Sequence, residues 1–123
     1  MPHTLNFVAG WTLILAAFAG GAGIGLGIHR EDFLGGYASY RRRMLRLGHV
    51  ALAALGMLNL LYGLAVGPGA PAGWPGGLLL AGAIAMPTVC GLAAWRTPCR
   101  HLFFIPVTLL LAAVILILVR LHA

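Results

Sequence analysis

Apolar residues in this chain come in four long runs, and the breaks between them are short. The first run spans about residues 5–28 and contains no charged side chain. A connection from His29 to Arg43 follows, and it holds both acids, Glu31 and Asp32, together with Arg30, Arg41, Arg42 and Arg43. The second run, about 44–66, has one charge, Arg46, near its start. A turn-rich stretch, Gly67 to Gly77, carries three prolines and five glycines and separates it from the third run, about 78–95. Thr97 to Arg100 forms a tight turn around Pro98, and the last run covers about 102–119. A bilayer core of about 30 Å needs roughly 20 apolar residues per helix, so each run is long enough to cross once. The pattern predicts an all-α integral-membrane four-helix bundle, running up-down-up-down as two helical hairpins. All 123 residues are used in this single domain.

Composition agrees. Hydrophobic residues make up 61% of the chain and charged residues only 8%, against about 25% charged in soluble domains. Mean hydropathy is +0.97. So few charges cannot cover a water-facing surface, and the lipid bilayer is the expected partner. Ala17-Phe18-Ala19 has the spacing of a signal-peptide cleavage site, but no Arg or Lys precedes the apolar run, so the first run reads as a retained span.

Charge then sets an orientation. Eight arginines face two acids, and there is no lysine. Arg30, Arg41, Arg42, Arg43, Arg46, Arg96 and Arg100 fall at one end of the expected bundle and Arg120 alone at the other. Positive residues in short loops stay cytoplasmic. The arginine-rich ends are therefore expected in the cytosol, with both termini and the Pro-Gly loop outside, in a bacterial inner membrane. A basic chain could instead bind nucleic acid, but arginines confined to helix ends are not a basic face, and nucleic acid is not an expected partner.

Several positions invite close helix packing. Gly21/Gly25 and Gly23/Gly27 are both G-x-x-x-G pairs, a spacing that brings helix backbones together in lipid. Gly56 and Gly63 lie seven residues apart and share a face. Asn59 is an amide within an apolar span and needs a hydrogen-bond partner there. Pro87 removes a backbone hydrogen bond mid-span, and Thr88 is placed to satisfy the freed carbonyl.

Candidate chemistry gathers at the arginine end, where the topology collects His29, His49, Cys90, Cys99 and His101. His49 and His101 are the best pair for bis-histidine haem b, with His29 as a further cofactor-binding candidate, rim arginines on the propionates, and Gly48, Ala51 and Gly91 leaving room for the ring. Cys90 and Cys99 with His49 and His101 form a weaker soft-metal set, because neither C-x-x-C nor H-x-x-x-H spacing supports it. No nucleophile–base pair, phosphate loop or zincin signature is present, so no catalytic residue is assigned. The function expected from these features is a small subunit that packs into a larger membrane complex, most plausibly a respiratory or other redox complex. Two alternatives stand beside it: a haem b electron-transfer protein, and a homo-oligomeric transporter or channel. Against transport, the middles of the spans lack Asp, Glu, Lys and Arg.

Overall fold

In the computed structural model, residues 4–71 and 73–123 are described. Four α-helices follow one another: α1 Leu5–Ile28, α2 Tyr40–Val66, α3 Gly73–Trp95 and α4 Phe104–His122. Two 3-10 turns, Phe33–Gly35 and Thr97–Phe103, lie between α1 and α2 and between α3 and α4. All four helices are long and apolar enough to cross a membrane.

Local chemistry explains where each helix begins and ends. Thr4 caps α1 by accepting the Phe7 amide on its hydroxyl. Ser39 caps α2 in the same way, accepting from the Arg42 amide at 3.2 Å and donating its own hydroxyl to the Leu34 carbonyl at 2.7 Å. That cap starts α2 at Tyr40, one turn before the expected Met44, so the arginine cluster is already helical. Gly67, at φ +86°, ends α2 with its amide on the Gly63 carbonyl.

The Pro-Gly stretch is shorter as a loop than its composition implied. Gly73 to Gly77 belong to α3, because Pro75 falls in the first turn, where a missing amide costs nothing. Pro106 holds the same position in α4. Thr97–Phe103 takes up the expected start of the last helix as 3-10 turn, and α4 then continues past Val119 to His122. The helix passes through Pro87, but the Thr88 hydroxyl donates to Ile84 and not to Ala83, the carbonyl that the proline frees.

Helices pack in chain order: α1 on α2, α2 on α3 and α3 on α4, with the second 3-10 turn against α3 and α4. The α3 helix is the most enclosed, while α1 and α4 bury least of themselves. Between α1 and α2 the contacts form a ladder with heptad spacing. Phe7 meets Gly63, Ile14 meets Gly56, Gly21 meets His49, and the Ile28 carbonyl accepts from the Arg42 guanidinium at 3.3 Å. At the second and third rungs a side chain, Ile14 or His49, lies against a glycine of the other helix, and at the first the Phe7 backbone lies against Gly63. A seven-residue repeat kept in both helices is the signature of knobs-into-holes packing. The backbones approach closely at Gly10, where an added Cβ would stand 2.6 Å from the Leu60 amide nitrogen and 2.8 Å from the Gly56 carbonyl, and equally at Gly63, where it would stand 2.6 Å from the Phe7 amide nitrogen.

Candidate functional site

At the arginine end, the Arg41, Arg42 and Arg46 side chains are held by aromatic rings and carbonyls. The Arg41 guanidinium lies 4.5 Å from the Trp95 ring centre, and its Nε donates to the Ala94 carbonyl at 3.2 Å. This ties the start of α2 to the end of α3, where carbonyls lack helical partners. Arg42 and Arg46 flank Tyr37 at 5.4 and 4.8 Å. Arg46, by hydrogen bond and charge, holds the exposed Tyr37 phenol below its ordinary pKa, Arg42 adds to this, and partial desolvation opposes it. Arg42 itself is only 4% exposed, and its Nε finds no partner among the described residues. The salt bridge Arg30–Asp32, 3.7 Å apart and solvent-exposed, lies on the connection before α2.

One turn inside, consecutive residues of α2 point to different helices. Adjacent positions on an α-helix are about 100° apart. Gly48 therefore meets α3, where an added Cβ would sit 3.0 Å from Cys90 Cβ, and His49 meets α1, with its ring over Gly21. His49 Nδ1 is buried and has no hydrogen-bond partner among the described residues. His101 is exposed on the 3-10 turn beside Thr97, Pro98 and Arg100, and His29 is exposed at the end of α1. Cys90 is buried and free, and Cys99 is half-buried and free.

The expected grouping of His29, His49, Cys90, Cys99 and His101 is thus not assembled. Among the described residues no three His, Cys, Asp or Glu side chains come together as a metal site. His49 lies against Gly21 of α1 while His101 is exposed on the 3-10 turn, and at Gly48 an added Cβ would meet Cys90. The α2 helix directs its imidazole into the α1 seam.

The glycines expected to pack divide into two groups. Gly21, Gly56 and Gly63 lie in the α1–α2 seam, and Gly27 is covered by the Phe33 ring. Gly23 and Gly25 have nothing within 4 Å of where a Cβ would stand, and neither does Gly20, which the sequence reading did not single out.

At the opposite end a polar node joins three helices. Asn6 Nδ2 donates to Asn59 Oδ1 at 2.8 Å and to the Gly76 carbonyl at 2.9 Å, and Asn59 Nδ2 donates to the Leu55 carbonyl at 2.9 Å. Both amides are buried, at 1% and 0% exposure. Asn6, the partner of Asn59, went unremarked in the sequence, although an amide two residues into an apolar run is the signal that finds it. Gly10 and the burial of Arg42 were missed as well.

No protein-family model, curated protein or solved structure matches this chain.

Proposed function

We propose that this chain is a small integral-membrane subunit that docks through the open face of α1 that bears Gly20 and Gly23, three residues apart, onto a helix of another membrane protein. The observation carrying this reading is the division of the α1 glycines. The chain's own packing consumes Gly10 and Gly21, yet Gly20, Gly23 and Gly25 stand open. In lipid, where the hydrophobic effect between helices vanishes, glycine on an outer face gains stability by letting a second backbone approach. The inverse pairing along the α1–α2 ladder supports an up-down arrangement of spans. The gathering of Arg41, Arg42, Arg46 and Arg96 at one end supports placing that end in the cytosol. A redox host draws no support from the histidines, since His49 is occupied in packing.

The test is the native assembly of the tagged full chain, extracted from its own membrane. A complex with a second membrane protein is expected, and Gly20→Leu with Gly23→Leu is expected to release the chain from it while leaving its helix content intact. A homo-oligomer with no other component would contradict the subunit reading and favour a small transporter.

A further inference from the structure

The outer surface between α2 and α3 is not flush. A groove of about 430 Å³ runs there from the Pro87 level up to the end of α3. Leu45, Pro87, Gly91 and Leu92 line it, and Trp95 and Arg96 stand at its mouth. Gly91 makes the hollow, because a Cβ there would meet nothing within 4 Å, while neighbouring Gly48 is already filled by Cys90.

The mouth is cationic and not neutralised. Arg96 is exposed. Arg41 spends its Nε on the Ala94 carbonyl and lies over Trp95, and its two terminal nitrogens make no hydrogen bond among the described residues. Neither arginine has a carboxylate within salt-bridge distance among those residues. Trp and Arg together mark the headgroup level of a membrane protein. A largely apolar slot below that level, with Arg96 at its mouth and Arg41 over the neighbouring Trp95 ring, matches the polarity profile of one molecular class.

We propose that this groove binds one anionic phospholipid. Its phosphate lies between Arg41 and Arg96, and the upper part of one acyl chain lies against Gly91 and Pro87. Guanidinium groups bind phosphate oxygens through paired, charge-assisted hydrogen bonds. A soluble phosphate would use the same arginines but would leave the slot idle. The inference rests on the bilayer reading, though not on the docking of α1, which concerns another face.

The experiment reconstitutes the full chain into phosphatidylcholine vesicles containing a minor share of phosphatidylglycerol, extracts it gently and identifies retained lipid by native mass spectrometry. Phosphatidylglycerol is expected to be retained over phosphatidylcholine roughly thirtyfold relative to their ratio in the vesicle, the fold-change that corresponds to about 1 kcal/mol for each of two arginines near a lipid surface. Arg96→Gln, an exposed change that leaves the packing alone, is expected to bring retention down toward that ratio. Gly91→Leu, which fills the slot without touching an arginine, is expected to abolish it. Soluble glycerol phosphate is expected not to displace the lipid. Retention at the bulk share, full retention by Gly91→Leu, or displacement by glycerol phosphate would each overturn the site. A chain that fails to float with the vesicles would overturn the bilayer reading as well, so the two failures are told apart.

Discussion

Asn6 and Asn59 show how a single polar contact is used where water is absent. Each amide alone would be a liability in an apolar interior, and together with the Gly76 carbonyl they join α1, α2 and α3. Interhelical hydrogen bonds in membranes average about 0.6 kcal/mol and reach about 1.7 kcal/mol, and leaving a buried partner unsatisfied adds to the loss. Asn59→Leu is therefore expected to lower stability by about 1–2 kcal/mol, read from reversible unfolding in mixed micelles. Asn6→Leu added to it should cost much less than it does alone, because the partners form one network. Equal, additive losses would show that the two amides act separately. His49 teaches the complementary lesson. Its residue type drew attention as a ligand, but one position along a helix decides whether a side chain faces α1 or α3, and hydropathy carries no record of that angle.

At the scale of the helix, small residues divide into those the chain consumes and those it leaves free. Gly10 has backbone within 3 Å of any added Cβ, and Gly20 has open space. Alanine normally favours a helix over glycine by about 1 kcal/mol. At Gly10 that gain is outweighed by forcing two backbones apart, for which overpacking costs of about 1–3 kcal/mol are typical. Gly10→Ala should therefore destabilise the chain, and Gly20→Ala in the isolated chain should be neutral or slightly stabilising, by the same unfolding measurement. The G-x-x-x-G spacing could not separate these cases, since Gly21 and Gly25 form one motif yet only Gly21 meets α2. The existence and length of the four helices were legible because apolar runs of that size have few alternatives. Their ends were less so. Ser39 and Pro75 shift two starts by about one turn through capping and first-turn chemistry, which a hydropathy profile averages away.

For the molecule as a whole, the central claim is that four spans place their arginine-bearing ends together on the cytoplasmic face. The ladder between α1 and α2, the Arg41 contact to the end of α3 and the free glycines of α1 acquire meaning only within that arrangement. The four apolar helices and the confinement of arginine to helix ends were readable from the sequence, because charge is so scarce that its placement is informative. The scattering of the histidines and cysteines was not, because it depends on which helix each face meets. Labelling of introduced thiols by a membrane-impermeant maleimide, in a background of Cys90→Ser and Cys99→Ser, tests the arrangement most directly. Pro71→Cys, in the turn before α3, should react on intact cells, and Arg43→Cys, at the start of α2, should react only after the membrane is opened. Reaction of both from the same side would contradict the account.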